Sequence, residues 1–329
     1  MATLTFREAL GQAMEEEMER DESIFLMGEE VAQYNGAYKV SKGLLDKFGE
    51  KRVIDSPISE GGFAGLGVGA AMAGLRPIIE MMTWNFGIQG FDQIINHAAK
   101  MRYMSGGQFK MPMVYRGPNG CAHMLSSQHS QAVDPMITNI PGLKVVCPTT
   151  PADGKGLLKA AIRDDNPVIF LESELMYGLK GEVPDGEHII PLGVGEIKKE
   201  GTDVTIITWG KVYHTAVMKA VPLIEEELGI TIKVLDPRTL QPLDEDLIFA
   251  AARETHRVII VEESWGFASV GAEIAARITS ECFDDLDAPV ERVTNEFVPM
   301  PYNENLENHV IPNVEKIRAA VKKVLYINN

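Results

Sequence analysis

The chain has 329 residues, of which 45% are hydrophobic and 24% charged. This is the composition of an ordinary globular protein, and it excludes a disordered, collagen-like or coiled-coil chain. The length exceeds the usual size of one hydrophobic core, so two domains are expected. The 31 basic and 47 acidic residues give a net charge of −16. Such a surface repels phosphate backbones and anionic lipids, which disfavours nucleic acid or a membrane as the main partner.

Cysteine usage and the N-terminal sequence favour a reducing compartment. Cys121, Cys147 and Cys282 lie far apart without a C-x-x-C pair, so neither a disulfide framework nor a thiolate zinc site is predicted. The N-terminal stretch is acidic and amphipathic, which is typical of neither a secretory signal nor a transit peptide. We expect a cytoplasmic protein, with the mitochondrial matrix or a plastid after removal of a transit peptide as the alternative.

The first predicted element is an N-terminal helix. Thr5 and Glu8 have the spacing of a capping box, and the pattern after them predicts a helix to roughly Arg20. Short apolar runs then alternate with helical segments, which indicates a mostly parallel sheet covered on both faces. The predicted strands are Ile24–Gly28, Arg52–Asp55, Pro77–Met82, Met113–Arg116, Leu143–Cys147 and Val168–Glu172, and the helices between them include Gly61–Gly74, Phe91–Met104 and Ala152–Arg163.

The alternation breaks once and then resumes, which indicates two α/β domains. Glycine and proline recur from about Ser173 to Thr202, and this stretch is interpreted as a linker with one short strand. After it, the predicted strands are Val204–Thr208, Thr231–Leu235 and Val258–Val261, and the predicted helices are Tyr213–Leu228, Asp244–Ala252, Ser269–Ser280 and Val314–Leu325. The predicted domains span residues 1–180 and 204–329, with the linker at 181–203.

The densest motif is rich in glycine. Gly65, Gly67 and Ala70 formally match the dinucleotide-binding pattern G-x-G-x-x-A, but the preceding strand ends about ten residues too early for that site. At helical spacing, Gly61, Gly65 and Gly69 instead form one stripe without side chains. Each glycine costs a helix about 1 kcal/mol relative to alanine. The stripe therefore implies close approach of another backbone, either within the chain or across a subunit interface.

Glu60 stands directly before this apolar helix. A first-turn carboxylate interacts favourably with the helix dipole, worth about 0.3–1 kcal/mol, and this structural role is true of most such glutamates. The functional alternative is a carboxylate held at a buried helix start, ready to share a proton with a ligand nitrogen.

Two more polar clusters follow strands. The turn at 116–120, Arg-Gly-Pro-Asn-Gly, lies at the carboxyl end of a strand, where open α/β sheets place ligand sites. Trp84 and its neighbours occupy a similar position. His129 lies in a polar loop rather than on an apolar helix face, so a chemical role and a packing role for its side chain are about equally supported. His123 and His129 lack a nearby third ligand, so no zinc site is predicted.

Together, these segments resemble the β subunits of thiamine-diphosphate-dependent 2-oxo acid dehydrogenases (the E1 components), with the match closest to the pyruvate dehydrogenase type. Long matched blocks in the right order make the resemblance specific, and it covers essentially the whole chain. The blocks are RVIDSPISEGGFAGLGVGAAMAGLRPIIEMMTWNF, AAKMRYMSGGQ, RGPNG, SQHSQ, PGLKVVCP, AIRDDNPVIFLE, VEESWGFASVGAEI and VPMPY. The implied fold is α/β, with a pyrimidine-binding thiamine-diphosphate domain followed by a transketolase C-terminal-type domain.

The resemblance also implies residue roles. Glu60 would hydrogen-bond the N1′ nitrogen of the cofactor's aminopyrimidine, and Met82, Phe86 and Gln89 would line the pyrimidine pocket. His129 would donate or accept a proton near the reacting carbon, in decarboxylation or in transfer to the lipoyl group. A potassium ion bound through main-chain carbonyls would correspond to Met113, Ala161, Ile162, Asp164 and Asn166.

Part of the family's cofactor site has no counterpart in the sequence. Family members bind Mg²⁺ and the diphosphate with a GDG motif followed by Asn-Asn, since oxygen ligands suit a hard cation. The Pro184-Asp185-Gly186 and Ala152-Asp153-Gly154 segments lack the leading glycine, and Asn328-Asn329 stands at the end of the sequence. The resemblance therefore implies a partner α subunit in an α2β2 heterotetramer, with shared thiamine diphosphate and Mg²⁺ held mainly by the α subunit.

The implied reaction is oxidative decarboxylation of pyruvate with reductive acetylation of the lipoyl group on the E2 dihydrolipoyl acyltransferase. Branched-chain 2-oxo acid and acetoin dehydrogenases share the architecture and are the close alternatives. A non-catalytic scaffold subunit is the alternative from another class. The family often has apolar residues after its glutamate, whereas Gly61 and Gly62 follow here, so we expect a looser helix start.

Overall fold

The computed structural model of the protein describes residues 1–327. It contains two compact units. The first comprises residues 1–119 and 136–192, and the second comprises residues 120–135 and the chain from residue 193 onward. The Asn328-Asn329 pair, at the end of the predicted second domain, lies outside the described residues.

The first unit is built on a parallel sheet. The strands of this unit are β1 Ala2–Thr5, β2 Ile24–Gly28, β3 Val53–Asp55, β4 Arg76–Glu80, β5 Val114–Pro118, β6 Lys144–Val146, β7 Val168–Glu172 and β8 Lys180–Val183. The parallel order is β6-β7-β5-β4-β2-β3, while β1 and β8 form a separate antiparallel pair. The helices are α1 Phe6–Arg20, α2 Leu44–Phe48, α3 Glu60–Met72, α4 Trp84–Gly87, α5 Ala99–Met104, α6 Asp134–Thr138 and α7 Pro151–Arg163, of which α6 begins in residues of the second unit.

Local sequence explains the first helix and the sheet that it covers. Thr5 caps α1, and the predicted capping box is confirmed: Thr5 N–H donates to Glu8 at 2.8 Å, and Glu8 N–H donates to Thr5 Oγ1 at 3.3 Å. The buried face of α1, which includes Phe6, Leu10 and Met14, joins the apolar core of this unit. Strands β2 and β7 are buried along their whole length, as expected of strands covered on both faces.

The second unit has its own sheet and core. Its strands are β9 Glu196–Lys199, β10 Val204–Thr208, β11 Ile232–Asp236, β12 Thr239–Gln241, β13 Val258–Trp265 and β14 Glu291–Asn295, and its helices are α8 Met218–Leu228, α9 Glu245–Thr255, α10 Val270–Glu281, α11 Glu304–Val310 and α12 Val314–Val324. The sheet order is β14-β13-β10-β11-β9, parallel except for β9. Its core consists of buried apolar residues from β10, β11, β13, α8 and α12.

Several elements of the structure differ from the predicted ones, and two of these differences concern the linker and the starts of two helices. The stretch from 173 to 202 contains two strands rather than one, because β8 pairs with β1 while β9 pairs with β11. The helices predicted at Phe91–Met104 and Tyr213–Leu228 begin as π-helical segments, at Asp92–Ala98 and Tyr213–Val217. Within residues 1–327, no helix is both long enough and apolar enough to cross a membrane.

Candidate functional site

Glu60 is the first residue of α3, and its side chain is buried. Ser59 is the N-cap, but its side chain makes no capping hydrogen bond, so the N–H groups of the first turn have no side-chain cap. The Ser59 carbonyl accepts from Gly62 N–H at 2.9 Å and from Phe63 N–H at 3.0 Å. The first turn is therefore hydrogen-bonded at Gly62 and Phe63, and the expected loosening by Gly61 and Gly62 stays a prediction.

Glu29 is a second carboxyl group near Glu60 that the sequence analysis missed. It follows β2 directly and is buried, and its Oε1 has no hydrogen-bond partner among the described residues. Burial first, and the neighbouring Glu60 second, raise the pKa of Glu29. A like charge at close range disfavours ionisation of Glu29, so this carboxyl group favours its protonated form. An acidic residue at the carboxyl end of a buried parallel strand was the available signal.

The segment after β4 carries the three predicted pocket residues. Met82 and Phe86 are half-buried and Gln89 is exposed. A Cβ atom built on Gly61 would lie 3.4 Å from the Gln89 carbonyl oxygen, so the Gln89 backbone lies beside the first turn of α3. Because β4 and β2 are parallel neighbours, with Glu80 opposite Gly28, their carboxyl ends meet at one edge. That edge carries Met82 and Glu29.

The glycine stripe of α3 divides into two parts. Gly61 and Gly65 face Gln89 and Gln93, since a Cβ at Gly65 would lie 2.8 Å from Gln93 Oε1. For these two positions the close approach is within the chain. A Cβ at Gly69 would meet nothing within 4 Å. The segment is helical throughout and does not form a phosphate-binding loop after a strand. The match to the dinucleotide-binding pattern therefore does not mark a dinucleotide site.

A buried ion-pair network holds the same edge of the sheet. Arg116 in β5 donates to Glu172 at the end of β7, with Nε 2.5 Å from Oε1 and a second bond from its terminal nitrogen, and it also donates to Glu80 at the end of β4. Tyr177 donates its hydroxyl to Glu172 Oε2 at 2.8 Å. Arg116 therefore joins the ends of three neighbouring strands by charge-assisted hydrogen bonds.

Most of the carbonyls predicted to hold potassium already accept hydrogen bonds. The Met113 carbonyl accepts from Val168 N–H at 2.9 Å, and the Ala161 carbonyl accepts from Asp164 N–H at 3.2 Å. Arg76 donates to the carbonyls of Ile162 at 3.1 Å and Asp164 at 2.8 Å. The side chain of the fifth residue, Asn166, accepts from Arg102 at 2.7 Å. The guanidinium of Arg76 thus supplies positive charge at two of these carbonyls, and the potassium site stays a prediction.

His129 belongs to the other compact unit. It closes a short turn, Ser127–His129, in the segment 120–135, and its side chain is exposed. The sequence analysis included His129 in the first predicted domain, so this assignment is new. Within residues 1–327, no cluster of three or more His, Cys, Asp or Glu side chains has the arrangement of a metal site.

Two family models match the chain. The transketolase pyrimidine binding domain covers residues 2–180, and the transketolase C-terminal domain covers residues 193–317. A solved structure described as a split gene transketolase, inactive beta4 tetramer, superposes with a TM-score of 0.80 at 23% identity, covering 99% of both chains. The chain is thus a transketolase-type pair of domains, which confirms the predicted fold class.

Curated relatives narrow the family. The chain is 53% identical to the pyruvate dehydrogenase E1 component subunit beta of Rickettsia felis, covering 98% of each sequence. It is 51% identical to the mitochondrial counterpart of Caenorhabditis elegans, covering 99% of this chain and 94% of the relative. The chain belongs to the family of pyruvate dehydrogenase E1 component β subunits. The resemblance stated from its sequence blocks is confirmed.

Proposed function

We propose that this chain is the β subunit of a pyruvate dehydrogenase (acetyl-transferring). The complete enzyme decarboxylates pyruvate oxidatively and acetylates the lipoyl group of the E2 dihydrolipoyl acyltransferase, leading to acetyl-CoA. The observation that carries the proposal is the buried Glu60 at an uncapped helix start, in a chain that is 53% identical over 98% of its length to a β subunit of this enzyme.

The residues present fit the pyrimidine end of thiamine diphosphate. The buried carboxyl group of Glu60, at a helix start that has no side-chain cap, can hydrogen-bond a ring nitrogen. Nearby, Glu29 Oε1 is a buried polar atom that lacks a partner among the described residues. When bound, thiamine diphosphate supplies the electron sink for decarboxylation. Glu60 holds a proton at the ring nitrogen, and Met82, Phe86 and Gln89 line the aromatic ring. Burial and the neighbouring Glu60 raise the pKa of Glu29, so Glu29 favours its neutral form beside Glu60.

His129 is the proposed proton donor or acceptor near the reacting carbon, in decarboxylation or in transfer to the lipoyl group. Its place in a polar, exposed turn leaves the imidazole accessible, and an imidazole can act as a general acid or base. This role predicts that His129→Ala lowers turnover without weakening assembly.

The proposed partners are an E1 α subunit, in an α2β2 heterotetramer, and the E2 acyltransferase. The α subunit holds most of the Mg²⁺ site, and any potassium ion shares its carbonyls with Arg76. The proposed compartment is the cytoplasm, or the matrix of a mitochondrion or plastid. Isothermal titration calorimetry tests the shared site: the chain alone should bind thiamine diphosphate with Mg²⁺ negligibly, and the co-expressed α–β assembly should bind it. Tight binding by the lone chain contradicts the shared site.

The decisive experiment is Glu60→Gln in the assembled enzyme. The amide keeps the size of the side chain but cannot hold the proton, so turnover of pyruvate should fall by at least about 100-fold, the usual scale of lost acid–base catalysis. Assembly, measured by size-exclusion chromatography, should be unchanged. The matched control is Glu8→Gln, an exposed first-turn glutamate of α1, which should retain wild-type turnover.

Two outcomes contradict the proposal. Wild-type turnover by Glu60→Gln would leave the chain with the role of a scaffold subunit. A preference for 3-methyl-2-oxobutanoate or acetoin over pyruvate in the same assay would assign the enzyme to the branched-chain or acetoin type.

A further inference from the structure

The loop that carries His129 is held by a buried lysine–glutamate pair of the second unit. Lys211 lies three residues beyond β10, and Glu263 lies near the end of β13. These strands are parallel neighbours, with Thr208 opposite Val261. Both side chains therefore stand at the carboxyl edge of the second sheet, and both are buried.

The pair binds both backbone polar groups of one loop residue. Cys121 N–H donates to Glu263 Oε1 at 2.6 Å, and the Lys211 ammonium donates to the Cys121 carbonyl. Lys211 Nζ also lies 2.7 Å from Glu263 Oε2. Burial opposes the lysine charge, but Glu263 and Cys121 outweigh it, so the pKa of Lys211 lies above its ordinary value. Charge-assisted hydrogen bonds of this kind are stronger than neutral ones, especially where water is excluded.

The loop needs such support because its own backbone conformation is unfavourable. His123, Met124 and Ser126 have φ values of 51°, 58° and 69°, in the left-handed region that residues with a Cβ disfavour. Gly120 has φ 79°, and a Cβ there would lie 2.7 Å from both carboxylate oxygens of Glu263. The loop thus approaches the carboxylate at a distance that only glycine permits.

Two weaker contacts continue the attachment towards His129. The Met124 N–H interacts with the carboxyl group of Glu307 in α11. Burial raises the pKa of Glu307, and the nearby Lys211 offsets only part of this rise. Ser127 Oγ donates to the Met300 carbonyl at 3.0 Å. The loop is therefore attached at successive points between residues 120 and 127, and His129 follows the last of them by two residues.

We infer that Lys211 and Glu263 are positioning residues for His129: their buried pair binds the Cys121 backbone and sets the conformation of the loop that presents the imidazole. The inference rests on the proposed function, which gives His129 a proton-transfer role. Neither Lys211 nor Glu263 needs to touch substrate or cofactor for this purpose.

The first test is a double-mutant cycle in the assembled α–β enzyme with pyruvate. His129→Ala should lower kcat by about 100-fold, and Lys211→Met should lower kcat by about 10-fold with KM for pyruvate changed less than about 2-fold. If Lys211 acts through His129, the double variant should have the kcat of His129→Ala within about 2-fold, because residues that act as a unit are not additive. A further 10-fold loss in the double variant overturns the inference.

The second test reads the loop without activity. Hydrogen exchange measured by mass spectrometry should be at least about 10-fold faster in peptides covering residues 120–135 of Lys211→Met, and Lys211→Arg should restore most of the protection. The matched control is Lys233→Met, since Lys233 is a buried lysine of the neighbouring β11 that pairs with Glu254. Its loop peptides and kcat should stay at wild-type values. Unchanged loop exchange in Lys211→Met overturns the inference.

Two further results keep the test decisive. If Lys211→Met does not assemble, Gly120→Ala displaces the loop while both charges stay in place, and the same cycle with His129→Ala applies. If His129→Ala turns over at the wild-type rate, the positioning role is overturned, whereas Glu60→Gln judges the proposed function independently.

Discussion

Arg116 allows a quantitative test of how the carboxyl edge of the first sheet is held together. Its side chain is 1% exposed, and those of its partners Glu80 and Glu172 are 4% and 0% exposed. Arg116→Met keeps much of the side-chain volume but leaves two buried carboxylates without a counter-charge. Removing one partner of a buried ion pair costs about 3–5 kcal/mol, and two stranded acids place this variant at the upper end of that range.

Thermal unfolding followed by circular dichroism at pH 7, with a urea titration on the same samples, measures this cost. A loss of about 5 kcal/mol lowers the Tm of a unit of this size by about 10–20 °C. Adding Glu172→Gln to Arg116→Met removes one stranded charge, and we expect it to recover about 1–3 kcal/mol. This recovery separates stranded charge from lost packing, because the second substitution restores no apolar contact.

Arg277 is the matched control. It also contacts two glutamates, Glu245 and Glu273, but its side chain is 45% exposed. Exposed ion pairs contribute about 0–1 kcal/mol, so Arg277→Met should lower Tm by less than about 4 °C. Equal losses in the Arg116 and Arg277 variants, or no recovery with Glu172→Gln, would refute the reasoning that burial sets the cost.

Two further predictions concern α3 and its surroundings. Gly69→Ala should raise the free energy of unfolding by about 0.5–1 kcal/mol, because a Cβ atom there would meet nothing within 4 Å. Gly67→Ala should gain less or destabilise, because its Cβ would lie 2.8 Å from Ile79 Cγ1. Urea titrations compare the two variants, and weaker assembly of Gly69→Ala on a sizing column would instead place that position at a subunit interface. Glu29 has a raised pKa in the folded state, so the folded state binds more protons than the unfolded one, and stability falls as pH rises above the ordinary value of 4.5. Glu29→Gln should therefore gain stability relative to wild type as the pH rises above about 4.5. A difference in stability that stays constant over the pH series would contradict the raised pKa.

Many strands could be predicted because they consist of consecutive apolar residues, as is typical of strands buried on both faces. β2, β7 and β10 are apolar runs buried along their length, and their predicted bounds are confirmed. β1 and β14 were missed because exposed and polar residues interrupt them and they pair on one side only. The π-helical starts also leave no such signal, since the hydrophobic period of a helix does not reveal which carbonyl each N–H reaches.

The sequence alone determined the family, from matched blocks along the whole chain. It also determined the alternation of strands and helices and the place of Glu60 at the start of the glycine-rich helix, since both depend on residues close together in the chain. The tertiary structure decided the rest. Glu29 becomes a neighbour of Glu60 only when the end of β2 meets the start of α3. Lys211 and Glu263 are separated from Cys121 by 90 and 142 residues, and contacts at such separations depend on how strands order themselves in a sheet, which no local pattern encodes.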